Sequence, residues 1–175
     1  MQVNATHNHA EMHVAFLVQL PKSVSPGQRF RCENWFPYLH QQHIAVDYFP
    51  FLDEKAYRIL YLPGNGVQKM MGTLRGFMGR FKFLFRAHRY QFIFVQREAS
   101  PVGPPVFEWI LAKLLRKKII FDFDDAIWIP QQSNPLLAAV KCYWKVKHII
   151  RWSYKVVAGN QFLAHYALSF NPQTI

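Results

Sequence analysis

Residues 117–128 read KKIIFDFDDAIW, and this stretch decides the fold. A β-branched and aromatic run at 118–121 leads directly into Asp122, Asp124 and Asp125. That is the pattern of a buried strand whose carboxyl end opens on a polar site. Carboxylates packed this closely repel one another and raise at least one pKa, which suits a working site. The plainer alternative is that Asp124 or Asp125 caps a turn before Ala126. Beyond Asp125 the chain contains no further Asp or Glu, so no acidic partner comes from downstream.

Working outward, further strands are expected at 13–18 (HVAFLV), 44–49, 91–95 and 154–158. Helices are expected over 28–41, 53–62, 67–88, 104–116, 135–152 and 161–166, with Asn160 at the N-cap of the last. Strand and helix alternate throughout. The expected class is therefore α/β, a Rossmann-like, doubly wound and mostly parallel sheet with helices on both faces. The domain is expected to span 13–175, after a flexible N-terminal tail at 1–12. The closing NPQTI reads as the approach to another strand, so the expectation is a chain that stops in mid-architecture.

In the common doubly wound order the first and fourth strands are neighbours, and the crevice lies outside their carboxyl ends. That arrangement sets the loop 23–29 beside 122–128. Gly27 permits a tight strand-to-helix turn, and the N–H groups opening the next helix can receive an anion. Gln28 and Arg29 belong to the same loop, Arg31 adds charge, and Arg97 and Glu98 follow the third strand at this edge. The alternatives are that Ser23 and Ser25 only order the loop and that Arg97 pairs with Glu98.

Composition bounds the partners. The chain has 175 residues, is 51% hydrophobic and holds 16 Phe, which marks a globular domain. Its 21 Lys plus Arg against 10 Asp plus Glu give a formal charge of +11, which attracts polyanions. Cys32 and Cys142 have no CxxC spacing and suit a reducing compartment. The polar stretch at 1–13 lacks an apolar core, so no secretion signal is expected and the expected address is the cytoplasm. His7, His9 and His13 fall in that stretch without carboxylate support and read as tail residues; no metal site is expected.

The helix at 67–88 is basic and amphipathic. Lys69, Arg75, Arg80 and Lys82 lie among Met and Phe, and Phe77, Phe81 and Phe83 add apolar area. This is how a helix on an anionic membrane reads, and peripheral contact with the inner face of a membrane is expected. The rival is an ordinary stripe facing the core. Gly72, Gly76 and Gly79 weaken a free-standing helix. Nucleic acid is not expected as a partner, because the chain has no RNP-like motif, zinc-ligand set or helix-turn-helix.

The DFDD stretch also resembles the first motif of haloacid-dehalogenase-like phosphatases, with Asp122 as nucleophile and Asp124 as proton donor. Such enzymes need a later acidic pair to hold magnesium, and no acid follows Asp125. A DxD metal motif at Asp122 and Asp124 finds no support elsewhere in the chain.

A broader resemblance rests on four stretches: SPGQRFRCENWFPYL at 25–39, VQREASPVGPPVFEWILAK at 95–113, IIFDFDDAIW at 119–128 and YKVVAGNQFLAHYA at 154–167. In this order they resemble the N-terminal half of bacterial group-1, family-4-type GT-B glycosyltransferases. The resemblance implies sugar transfer from a nucleotide sugar to a lipid-linked or polysaccharide acceptor, with retention and without a metal. It implies that this half shapes the acceptor side of a cleft. Asp124 and Asp125 would be catalytic there, and Gly27, Gln28, Arg29, Arg97, Glu98, Asp122, Trp128 and Asn160 would meet substrate. The donor nucleotide would be gripped by a second half carrying an E-x7-E pair, which this sequence lacks. The expected partner is therefore a C-terminal donor-binding domain or a separate donor-binding chain, with no cofactor bound by this chain itself. The alternative is a non-catalytic, membrane-anchoring subunit of a split glycosyltransferase.

Overall fold

The computed structural model describes residues 12–130 and 135–175, and its framework is a five-stranded parallel sheet with helices on both faces. The chain runs β1 (Met12–Val18), α1 (Pro26–Arg31), a 3-10 turn at Glu33–Trp35, α2 (Phe36–Gln41), β2 (Ile44–Pro50), α3 (Glu54–Ile59) and α4 (Gly66–Arg86). It continues through β3 (Phe92–Gln96), α5 (Val106–Trp109), a π-helical turn at Ile110–Leu114, β4 (Lys118–Phe123), α6 (Pro135–Lys141), α7 (Lys145–Trp152), β5 (Lys155–Ala158) and α8 (Gln161–Leu168). The α/β class read from the sequence is the one observed.

Local chemistry explains where expected helices divide. Pro37 has no N–H and opens α2 in its first turn instead of continuing α1, so 28–41 is not one helix. Cys142 takes a left-handed φ of 54°, which separates α6 from α7. Met12 and His13 belong to β1 and not to a tail, and the His13 N–H donates to Gln91 Oε1 at 2.8 Å. The rest of the expected tail, with His7 and His9, lies outside the described residues.

The strand order is β2-β1-β3-β4-β5, which corrects the expected adjacency of the first and fourth strands. After β2 the chain returns through α4 to the far side of β1, where β3 pairs with β1 and then with β4. Direction along the sheet thus reverses between β1 and β3, the place where open α/β sheets form their crevice. Beyond β5, Val156 bridges Thr174 in parallel, so the NPQTI segment does begin to pair as a strand would.

β1 is buried on both sides, which is why it reads as an unbroken apolar run. Ala15 and Leu17 join Phe83, Phe107 and Ile149 beneath α4, α5 and α7. Val14, Phe16 and Val18 pack with Cys32 and Phe36 on the opposite face.

α4 turns its faces against the core-facing alternative. Its inner side is Gly72, Gly76, Arg80 and Phe83. A Cβ on Gly76 would lie 2.6 Å from the Phe51 carbonyl oxygen, and one on Gly72 would lie 2.6 Å from Ala56 Cβ. The glycines let the helix backbone rest directly on this neighbouring chain. Leu74, Met78, Phe81 and Phe85 point outward and are at least half exposed. Two expected membrane contacts are therefore corrected: Arg80 and Phe83 are each only 2% exposed. Phe77 is half-buried between the rings of Phe51 and Phe107, so it too serves the interior. No helix among the described residues is long and apolar enough to cross a membrane.

Candidate functional site

The loop after β1 is tied down by two buried polar residues of the first helical segment. Gln28 donates through Nε2 to the carbonyls of Leu20 at 3.0 Å and Pro21 at 3.2 Å, and its Oε1 accepts from the Leu20 N–H at 3.1 Å. The Glu33 carboxylate accepts from the Ser23 N–H at 2.9 Å, and Tyr48 Oη donates to Glu33 Oε1 at 3.2 Å. Gln28 is 3% exposed and its amide is spent on holding the loop, while its side chain also borders the small recess beside Asp124. Arg29 is exposed, its guanidinium lying 5.6 Å from the Phe30 ring centre.

The fixed loop delivers Gly27 and Arg31 to the acids of β4. A Cβ on Gly27 would sit 3.3 Å from Asp124 Oδ2, and one on Gly159 would sit 3.0 Å from Asp124 Cα. Asp124 is thus held between two glycines, one after β1 and one after β5. Arg31 grips Asp122 through both ends of its fork, with Nε 3.0 Å from Oδ2 and Nη2 on Oδ1. That hydrogen bond raises the Arg31 pKa; burial pushes Asp122 up while Arg31 pulls it back. Asp122 is 2% exposed and fully engaged, which removes it as a free substrate or metal ligand. Burial also pushes the neighbouring Cys32 thiol well above its ordinary range, so no thiolate nucleophile forms there.

β3 contributes a strained turn. Arg97 has a φ of 64° at the centre of a three-residue turn closed by the Glu98 N–H on the Gln96 carbonyl at 2.9 Å. Its own N–H reaches the Asp122 carbonyl at 2.7 Å. The side chain runs to the acids and not to Glu98: Nη2 pairs with Asp125 Oδ2, and Nε lies 3.5 Å from Asp124 Oδ1. Both Arg97 Nε and Asp124 Oδ1 are buried without a hydrogen bond.

Gln19, Leu20, Ser25, Gly27, Gln28, Gln96, Arg97 and Asp124 enclose a recess of about 50 Å³. That volume suits a water or a single hydroxyl, not a sugar ring. A larger ligand would lie across its mouth, where Asp125 is the most exposed acid, with 58% of its side chain open.

Glu98, expected at the crevice, is instead part of an internal network that the sequence reading missed. It is 2% exposed and meets Lys145 Nζ at 3.4 Å and Gln19 Nε2 at 3.4 Å. Lys145 donates to the Ser100 carbonyl at 2.9 Å, and Glu108 accepts from the Ala99 N–H at 2.8 Å. Arg80 donates to the carbonyls of Ala99 at 2.6 Å, Val18 at 2.7 Å and Phe49 at 3.0 Å. Burial lowers the Arg80 pKa to about 10 and raises those of Glu98 and Glu108. Four buried charges from α4, the β3 loop, α5 and α7 thereby clamp the segment that carries Arg97. One signal pointed to it: Gly72, Gly76 and Arg80 recur every four residues on a single helix side.

Trp128 stacks flat on Tyr166, with ring centres 3.7 Å apart, and fixes the loop after β4 against α8. Asn160 caps α8, its side chain accepting from the Leu163 N–H at 3.0 Å. Both hold backbone in place. Among the described residues no group of three His, Cys, Asp or Glu side chains is arranged to hold a metal ion. No protein-family model matches this chain, and no curated protein matches it.

Proposed function

We propose that this chain is the acceptor-side domain of a retaining GT-B glycosyltransferase, which moves a sugar from a nucleotide sugar to a lipid-linked or polysaccharide acceptor. The observation that supports it best is the convergence of Gly27, Arg97 and Asp124 on one recess at the sheet's reversal point. These residues come from three of the stretches that carry the resemblance. Asp124 accepts a hydrogen bond from an acceptor hydroxyl seated in the recess. Arg97, held by its turn and by Asp125, fixes that carboxylate in place. The nucleotide sugar is supplied by a donor-binding domain or chain.

A second reading, the anchoring subunit of a split enzyme, is favoured by one observation. Asp122 and Asp125 already carry arginine partners, which suits a structural crevice.

The test uses membranes from cells that carry, lack or re-express the gene, incubated with a panel of radiolabelled nucleotide sugars. Loss of one labelled glycolipid on deletion, restored by the wild type but not by Asp124→Ala, supports the acceptor-side role. Restoration by both points to the anchoring subunit. A glycolipid profile unchanged by deletion refutes both.

A further inference from the structure

We infer that the outer face formed by α4, α5 and α7 is a docking surface for an anionic lipid bilayer. The inference rests on these helices alone and stands apart from the glycosyltransferase reading.

At 3.6 residues per turn, Val67, Met71, Leu74, Met78, Phe81 and Phe85 fall on one line along α4. That line is opposite the side seated through Gly72 and Gly76, so packing inside the domain does not cover it. Phe85 is 81% exposed and Val67 is 64% exposed. A soluble domain gains nothing by leaving such a row in water, and contiguous exposed apolar patches mark interaction sites.

The neighbouring helices extend the patch. Phe81 meets Phe107 of α5 edge to face at 5.1 Å, which sets the two helices side by side. From α5 the surface continues through Trp109, 47% exposed, to Trp144 beside α7, 52% exposed. A groove of about 260 Å³ between them is floored by Pro105, His148 and Trp152. Exposed Trp side chains with apolar bodies and polar N–H tips suit the headgroup boundary of a bilayer.

Charge selects the occupant. None of the three helices has an exposed acid: α4 and α7 contain no Asp or Glu, and Glu108 of α5 is 1% exposed. Arg75, Lys82 and Arg86 line one flank of the α4 row and are exposed, with Arg75 also 3.7 Å from Asp53. A second copy of the chain would bring the same cations and no acid to meet them. A nucleic acid would need a basic track, and here the middle of the face is apolar. An anionic bilayer supplies both a hydrophobic layer and phosphates, each basic residue near it adding to the attraction.

The experiment is sedimentation of the full chain with vesicles of phosphatidylcholine alone, or of equal parts phosphatidylcholine and phosphatidylglycerol. Binding to the anionic vesicles, weak binding to the neutral ones and partial loss in high salt are expected. The pair Met78→Glu with Phe85→Glu changes only outward side chains, so circular dichroism should be unchanged while partitioning falls more than tenfold. Gln161→Glu with Leu168→Glu changes net charge equally on exposed α8 and should keep wild-type binding. The proposal fails if the wild type ignores anionic vesicles, or if the α4 pair binds them as the wild type does. It also fails if light scattering shows a dimer that the α4 pair disperses without any vesicle binding. Preference for a single-stranded oligonucleotide over vesicles, lost in the α4 pair, overturns it as well.

Discussion

Arg31 of α1 closes over Asp122 at the end of β4, its Nε 3.0 Å from Oδ2 and its Nη2 on the other carboxylate oxygen. The pair joins the loop after β1 to the strand that carries the acids, across β3. Removing one partner leaves a desolvated charge, and broken buried pairs lose about 3–5 kcal/mol. Asp122→Leu and Arg31→Met should each lower the urea midpoint accordingly. The double variant Arg31→Met with Asp122→Leu should recover much of the loss, because neither charge is then stranded. Additive losses in the double variant would show that each residue acts through other contacts.

Gly76 and Gly79 separate packing from helix propensity within one helix. Ala at position 79 meets nothing within 4 Å, so Gly79→Ala should stabilise by up to about 1 kcal/mol. At position 76 the same methyl would meet the Phe51 carbonyl and ring at 2.6–2.8 Å, and Gly76→Ala should destabilise despite its better propensity. Thermal unfolding of the two variants should therefore move in opposite directions. Equal upward shifts would mean that α4 does not rest on Phe51.

Those glycines also mark where sequence reading ends. The apolar row of α4 is plain from its spacing, but a row has no direction. The sequence leaves a membrane-facing row and a core-facing stripe both open, and it places Arg80 and Phe83 on the outer side, where they do not lie. Only the absence of a Cβ at Gly72 and Gly76 tells which side approaches backbone, and that needs Phe51 and Ala56 in place. The β4 acids were visible because the apolar run stops abruptly at a strand end. Which acid stays open was not visible, since it depends on Arg31 and Arg97 arriving from distant segments. Strand order was misread for a related reason: alternating strands and helices give the class, whereas the return of α4 across β1 gives the order.

Arg97 tests whether the crevice stores backbone strain. Its φ of 64° suits glycine and disfavours any residue with a Cβ. Arg97→Ala and Arg97→Gly both lose the ion pairs to Asp124 and Asp125, but only glycine relaxes the turn. Arg97→Gly should be more stable than Arg97→Ala by about 1 kcal/mol in chemical denaturation. Both should abolish the labelled glycolipid if the side chain orients the acids. Equal stabilities would show that the turn is unstrained.

Glu108 should give the fold a specific pH signature. It is 1% exposed, its Oε1 is taken by the Ala99 N–H, and its Oε2 has no hydrogen bond. Burial raises its pKa above the ordinary 4.5, against the pull of Lys145 and Arg80. Between 4.5 and the raised folded value, the native chain keeps a proton that the unfolded chain has released. The unfolded state then binds fewer protons, so this group's contribution to stability falls as pH rises through that window. Glu108→Gln retains an oxygen for the Ala99 N–H and removes the titration. Urea unfolding across a pH series starting near the ordinary carboxylate value should show the wild type losing stability relative to Glu108→Gln as pH rises. Above the folded pKa the two profiles should run parallel. Profiles parallel throughout would mean that Arg80 and Lys145 fully offset the burial of this carboxylate. A difference of opposite sign would mean that they outweigh it.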